Sequence, residues 1–387
     1  MTTAEQNIIG RPTWAEIDLD ALAANLGVIR EQVGGEVKVM AAVKADAYGH
    51  GAVACARRLQ KEGVDWFGVA LPEEGVALRE AGITRRILCL GGLWEGQQDA
   101  CLQQNLTPVV YRLDMIESLD RAARDVGIIA DVHVKIDTGM GRLGVQFDEV
   151  PEFGEALRSF PNIRVEGLMT HLAAANEQNR DDFTKDQLKQ FQQAVSLFRE
   201  RGFNPSLIHA ANSAATFAFP ESRDKLVRPG GALYGFVRDV FPDDIAAPPL
   251  RPVMSVHSRI MLLKKVTKGK KLGYGCTFET ARDSIIATIP IGYDDGYRRG
   301  LSSRGRVIVR GRFAPVVGRV SMDLTLVDVT DVQGVRLNDQ VILIGRDSDL
   351  SITAEEIGEI IGSISYEVTC GISPRVPRLY VDARIDK

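Results

Sequence analysis

Lys44 stands at the end of a short apolar run, Val39 to Val43, and is followed closely by Asp46, Tyr48, His50 and the glycines Gly49 and Gly51. The run reads as a buried strand. An amine at the mouth of a buried strand, beside glycines that permit a tight turn and close ligand approach, suits a reactive lysine. A free lysine titrates near ~10.4, so neighbours or an aldehyde partner must make it useful near neutral pH. The plainer alternative is a strand-end lysine that reaches water. Lys135, His171 and His209 also fall at the ends of strand-like runs, and Tyr274 sits between Gly273 and Gly275. Taken alone, a histidine is more often a satisfied structural residue, and a tyrosine between glycines is usually a packed aromatic.

These groups need a scaffold, and the chain spells one out. Strand-like runs are read at Thr13–Ile17, Val39–Val43, Trp66–Ala70, Arg86–Leu90, Thr107–Tyr111, Ala130–Ile136, Arg164–Thr170, Leu207–Ala210 and Ala232–Phe236. Helical patterns lie between them, the longest over Asp181–Arg201. Counted from Val39, eight strands alternate with helices at a spacing of about 25 residues, as parallel strands with right-handed crossovers require. That predicts an α/β chain opening with a (β/α)8 TIM-like barrel, whose chemistry belongs at the C-terminal strand ends. No G-x-G-x-x-G opens the first unit, which argues against a dinucleotide fold. Prolines at Pro242, Pro248, Pro249 and Pro252 mark a linker. Beyond it the chain is strand-rich: Met254–Val266, Ser284–Pro290, Arg306–Val309, Ala314–Val329, Asp339–Ile344 and Val376–Val381, with one helix near Thr353–Ile361. The expected division is a barrel over 12–242 and a mainly-β C-terminal domain over 243–387.

Composition narrows the classes. The 387 residues are 45% hydrophobic and 25% charged, ordinary for a globular protein, and the net charge of −4 gives no support for a nucleic-acid partner. Five widely spaced cysteines show neither C-x-x-C pairs nor Cys/His ligand spacing, so neither a disulfide frame nor a metal site is indicated. The polar start lacks a signal-peptide core and no long apolar run follows, which points to the cytoplasm and away from a membrane.

The segment A-V-K-A-D-A-Y-G-H-G, Ala42 to Gly51, resembles the pyridoxal-phosphate lysine signature of the alanine racemases. The likeness continues in family order through I-D-T-G-M-G-R-L-G (136–144), R-P-G-G-A-L-Y-G (228–235), I-G-Y-D-D-G (291–296), G-R-V-S-M-D (318–323) and S-P-R-V-P-R (373–378). It covers nearly the whole chain. A β domain after a barrel is the arrangement of the fold-type III pyridoxal-phosphate enzymes, which this chain resembles.

The resemblance implies roles residue by residue. Lys44 would anchor pyridoxal 5'-phosphate and, once displaced by substrate, act as a base on one face of Cα. Tyr274 would be the second base, on the opposite face and from the other subunit of a homodimer. A phenol near ~10 would need nearby cations to serve there. Arg228 matches the arginine facing the pyridine nitrogen; an always-charged donor leaves that nitrogen unprotonated and the ring a weaker electron sink. Tyr48 matches a phosphate contact, His171 a ring-stacking histidine, and His209 a partner of Arg228; beside these, Gly230 and Gly231 let backbone N–H groups approach the phosphate, and Ser213 opens a helix whose dipole favours an anion. Arg142 matches a substrate-carboxylate arginine, and Lys135 a lysine carbamylated in many relatives. Tyr293, Met322 and Asp323 match residues on the substrate side across the dimer interface.

Two positions depart from the family. Pro374 stands where many relatives carry a phosphate-holding tyrosine, and proline cannot donate that bond. Asn176 replaces a common entrance aspartate. The implied activity is an isomerase reaction, L-alanine to D-alanine and back, supplying D-alanine for peptidoglycan. The alternative of the same fold is a broad-specificity amino-acid or serine racemase. A fold-type III decarboxylase would use a cysteine–aspartate pair not found here, and known pyridoxal-phosphate carriers are single barrels.

Overall fold

The computed structural model describes residues 10–241 and 246–382. The chain forms two compact units, one built from Leu22–Ala47 and Ala52–Arg251, the other from the segment up to Ala21, Tyr48–Gly51 and the chain from Pro252 onward.

The first unit is a barrel of eight parallel strands in the order Leu226–Val227, Lys38–Ala42, Trp66–Val69, Arg86–Cys89, Thr107–Val110, Ala130–Asp137, Ile163–Met169 and Leu207–His209. The ring closes through two backbone bonds, Lys225 N–H to Ile208 O at 3.3 Å and Arg228 N–H to Ala211 O at 3.0 Å. Met40, Trp66, Leu88, Val109, Met169, Leu207 and Leu226 pack together inside it, so the barrel centre is a filled core rather than a pore. The outer helices follow from their apolar stripes. Leu113–Val126 buries Met115, Ile116, Leu119 and Ala123 on one face and stops at Gly127, whose φ of 71° only glycine adopts cheaply.

Seven of the strands fall where the sequence places them. The eighth does not. Ala232–Phe236, read as a strand, lies in and just after a 3-10 turn over Gly231–Tyr234, and the strand is Leu226–Val227 instead. A short apolar run has no period that separates a strand from a buried turn, and Pro229-Gly230-Gly231 ends the ladder first.

The second unit is mainly strands. Its largest sheet runs Arg312–Pro315, Arg306–Val309, Gln340–Asp347, Met254–Arg259, Thr13–Asp18 and Arg378–Val381. Thr13–Asp18, counted with the barrel from sequence, pairs antiparallel with Met254–Arg259 and parallel with Arg378–Val381. The expected strand Met254–Val266 is two, the later part, Leu262–Val266, joining Ser284–Ile289 and Thr325–Asp328 in a separate sheet. Ala314–Val329 likewise breaks, turning through Gly318 at φ 70°. Helix Ala354–Ile361 matches expectation; a second, Ser365–Cys370, follows it unforeseen. The boundary read at 242–243, with Pro242, Asp243 and Asp244 of the linker, lies outside the described residues.

Candidate active site

Lys44 directly follows the barrel strand Lys38–Ala42 and Val43. That strand end is tied on two sides: Ala42 N–H donates to Pro229 O at 3.0 Å, and the Tyr234 hydroxyl donates to Ala42 O at 2.9 Å. The chain then turns left-handed over Ala45, Asp46, Ala47 and Tyr48, with φ between 52° and 56°. Each non-glycine residue there costs about 1–2 kcal/mol, so the turn must be held. Ala45 N–H donates to Glu74 Oε1 at 2.6 Å and Ala52 N–H to Asp46 Oδ1 at 2.7 Å. The sequence assigns this tight turn to the glycines; the structure moves it upstream of them. Gly49 instead makes room in the second unit, where a Cβ would meet Thr369 O at 2.2 Å. Tyr48 is buried there against Tyr366, ring centroids 5.7 Å apart, and burial pushes its phenol pKa up.

Arg228 is buried in the barrel unit and its guanidinium is almost fully engaged. Nη1 donates to His209 Nδ1 at 2.9 Å and His209 O at 2.8 Å; Nη2 donates to Thr170 O at 2.7 Å and Ala210 O at 3.0 Å. His171 Nδ1 lies 3.5 Å from Nη2. Of the five N–H donors a guanidinium carries, these four bonds leave Nε–H without a protein acceptor among the described residues. Burial pulls the Arg228 pKa down to about 9, so the group is still cationic at neutral pH. Burial, reinforced by Arg228, holds His209 and His171 well below the usual imidazole range. Both are therefore neutral, and His209 must present a bare Nδ1 to a neighbour that can only donate.

Lys135 is buried on the strand Ala130–Asp137, its pKa drawn down to about 8 by burial and then by Arg142 and Arg228. The following loop folds back over its own strand. Asp137 Oδ1 accepts from Gly139 and Gly141 N–H at 3.0 Å each, and a Cβ on Gly144 would lie 2.5 Å from Asp137 N. The loop carries Arg142, whose side chain is exposed. Thr138 and Thr170 hydroxyls meet at 2.8 Å, and the buried Gln187 bonds Thr138, His171 O and Ala173 N–H.

Ser213 is buried, and its oxygen accepts from Gly230 N–H at 2.8 Å and Ala232 N–H at 3.2 Å. With both lone pairs used, its own proton is left to donate elsewhere, as an anion requires. Gly230 N–H is thus spent inside the protein, whereas the sequence assigns it to the phosphate. Asn212 caps the short helix from Ser213, its Oδ1 accepting from Ala215 N–H at 3.0 Å.

The remaining candidates lie in the second unit. Tyr274 is 72% exposed in a turn whose flanking glycines, Gly273 and Gly275, have φ 71° and 73°. Tyr293 and Met322 are partly exposed and joined by backbone: Tyr293 N–H donates to Ser321 O and Asp294 N–H to Met322 O. Asp323 is engaged by Arg375 at 2.7 Å, which also pairs with Asp294 and Asp295. Pro374 precedes that arginine, and the Asn176 amide makes a long contact to Glu177 at 3.5 Å.

Sequence reasoning named Lys44, Arg228, His209, His171, Lys135 and Ser213, and the structure groups them on one barrel. It passed over Thr170, Tyr234, Gln187 and Glu74, whose roles are backbone or side-chain bonds to distant segments. Tyr234 had a signal, its place in R-P-G-G-A-L-Y-G. Among the described residues no cluster of metal ligands occurs, and no helix is long and apolar enough to cross a membrane.

Comparison with known proteins finds relatives over nearly the whole chain. Residues 17–237 match the family model for the alanine racemase N-terminal domain, and residues 253–380 that for the C-terminal domain. The alanine racemase of Halothermothrix orenii is 44% identical over 374 residues, 96% of this chain and 97% of that protein. A solved alanine racemase of Clostridium difficile 630 superposes with a TM-score of 0.91 at 38% identity, covering 97% of each chain. The alanine racemase of Bartonella henselae, solved with covalently bound pyridoxal phosphate, gives 0.86 at 28% identity, covering 96% of this chain and all of that one.

Proposed function

Because the chain belongs to the alanine racemase family, we propose that Lys44 and Tyr274 are its two acid–base groups, acting on opposite faces of one substrate carbon. The reaction is the isomerisation of L-alanine to D-alanine and back, and the family depends on pyridoxal phosphate. The donor set of the barrel fits that cofactor. Lys44 would hold its aldehyde, Ser213 would donate to its phosphate, Arg228 Nε–H would face its ring nitrogen, and Tyr48, His171 and Gly231 would complete the site, with Gly230 acting only by holding Ser213. When bound, the cofactor withdraws electrons from Cα and makes its proton removable.

The chain supplies the rest. In one direction the Lys44 amine takes the Cα proton and becomes an ammonium while the Tyr274 phenol gives a proton to the other face; the reverse direction exchanges these roles. A single base would mostly return the same enantiomer. Arg228 donates without surrendering a proton, which keeps the ring nitrogen bare and favours reprotonation at Cα. Arg142, with a forked guanidinium, would take the substrate carboxylate, and Tyr293, Met322 and Asp323 would border the substrate. Lys135, with a pKa near 8, is neutral often enough to add CO2, giving a carbamate and a released proton. That anion would orient Arg142.

Tyr274 is proposed to act in the partner subunit's site, making the enzyme a homodimer with shared sites and a cytoplasmic source of D-alanine for peptidoglycan. The observation that supports the reading most is the ring of acceptors around the two terminal nitrogens of Arg228, which leaves Nε–H without a protein acceptor among the described residues.

The test is Cα deuterium exchange from each enantiomer of alanine, with L-serine and L-lysine alongside. Tyr274→Phe should stall exchange from one enantiomer while the cofactor stays bound, and Lys44→Ala should abolish the ~420 nm band of the linked cofactor. Loss of that band in Tyr274→Phe would contradict the role given to the tyrosine. Comparable turnover of serine would favour the broader specificity. Sedimentation should give a dimer, and mixing Lys44→Ala with Tyr274→Phe chains should restore activity if sites are shared.

A further inference from the structure

The bond from Arg228 to His209 is the first link of a longer chain. His209 Nε2 lies 2.8 Å from His133 Nδ1, and His133 Nε2 faces Glu166 Oε2 at 3.5 Å. Glu166 in turn takes both ends of the Arg86 fork, at 3.0 Å and 2.7 Å. His209 is the last residue of its strand, His133 lies mid-strand, and Arg86 opens a strand. The chain therefore passes through the barrel interior from the mouth, where Arg228 sits, to the base.

Each link runs one way only. Arg228 has no acceptor, so His209 Nδ1 must be bare and its single proton must sit on Nε2. That proton points at His133 Nδ1, so the His133 proton sits on Nε2 and points at the carboxylate. Burial lowers the pKa of both imidazoles, and neither histidine is exposed. Burial alone would raise Glu166, but His133 and Arg86 outweigh it and hold the carboxyl below its usual range. A cationic donor closes one end and an anionic acceptor the other. His133 Nε2 makes no direct hydrogen bond among the described residues, and the Glu166 carboxylate 3.5 Å away is its electrostatic partner.

The far end is built to stay in place. The Arg86 guanidinium lies over the Trp66 ring, 4.4 Å from its centroid, and also reaches Thr107 Oγ1 and Asp131. Arg164 pairs with the same Asp131. Gly167, beside Glu166, is the neighbour that admits the imidazole: a Cβ there would stand 2.7 Å from His133 Nδ1. A barrel core is ordinarily filled by branched apolar side chains, so a buried polar chain in its place carries a cost.

We propose that Glu166 is a positioning residue which, through the tautomers of His133 and His209, fixes Arg228 so that Nε–H is the donor offered to the cofactor ring. Reversing the chain would set a protonated His209 Nδ1 2.9 Å from Nη1. Two donors would then face each other and the guanidinium would turn. This rests on the reading of Arg228 as the ring-nitrogen donor.

The test is imidazole 15N NMR of histidine-labelled holoenzyme, with absorption spectra and kinetics on alanine. Wild type should show neutral Nε2–H tautomers at both His133 and His209. Glu166→Leu should move at least one of them to Nδ1–H, shift the cofactor absorption band and lower kcat about tenfold with little change in KM, the scale of one lost bond to a charged donor. Glu166→Gln, whose amide oxygen still accepts, should keep the tautomers and recover most of kcat. Nδ1–H at either histidine in the wild type overturns the proposal, and needs no variant to fold. So does a Glu166→Leu enzyme with unchanged tautomers or band, while Arg228→Gln does shift the band. If neither variant moves the band, the role given to Arg228 fails, and the proposal fails with it.

Discussion

The Tyr234 hydroxyl donates to the carbonyl oxygen of Ala42 at 2.9 Å, just before Lys44. A residue of the Arg228 segment thereby anchors the strand that leads to Lys44. Tyr234→Phe leaves that buried carbonyl without this donor. We expect a loss of ~1–3 kcal/mol in urea unfolding, together with weaker cofactor retention. An unchanged midpoint would show that the anchor carries no weight.

Ser213→Ala removes the acceptor of Gly230 and Ala232 N–H and the donor proposed for the phosphate. Titrating cofactor-free protein with pyridoxal phosphate should show affinity reduced about tenfold or more, the scale of a charge-assisted bond. Equal affinity would remove Ser213 from the phosphate site.

Lys135 gives a pH dependence with a definite sign. Its folded pKa of about 8 lies below the 10.5 of a free lysine, so between these values the unfolded chain binds more protons than the folded one. Stability then rises with pH across that window, and the penalty of burying the ammonium is fully present below it. In CO2-depleted buffer Lys135→Met should unfold at a higher temperature than wild type near neutral pH, with the gain shrinking as pH climbs through the window. With 13C-bicarbonate, wild type should show a carbamate carbon signal that Lys135→Met lacks; its absence from wild type would refute the carbamate.

Gly167→Ala places a methyl within 2.7–2.8 Å of three atoms of the His133 ring. Overpacking of this kind costs ~1–3 kcal/mol. Urea unfolding measures it, and wild-type stability would mean that the imidazole has space to yield.

Much of this protein was legible without coordinates because the signals are local. Alternating apolar runs and amphipathic stretches declare a barrel, since each helix must bury its stripe on a strand beside it. The place of Lys44, at a strand end followed by a turn, is readable in the same way. The misreadings share a cause. Ala232–Phe236 is apolar because it is buried, and burial does not distinguish a strand from a turn. Thr13–Asp18 reads correctly as a strand, yet its partners, Met254–Arg259 and Arg378–Val381, lie far along the chain.

By itself the sequence determined which groups are available for chemistry, and the order in which strands and helices present them. Tertiary structure decided how those groups are committed. It spent Gly230 N–H on Ser213, took four donors of Arg228 for the protein, and set His133 against His209 across 76 residues of chain. Periodicity is written in neighbouring residues, so it can be read from them. A hydrogen bond between two strands depends on register and ring closure, and these exist only once the whole barrel has formed.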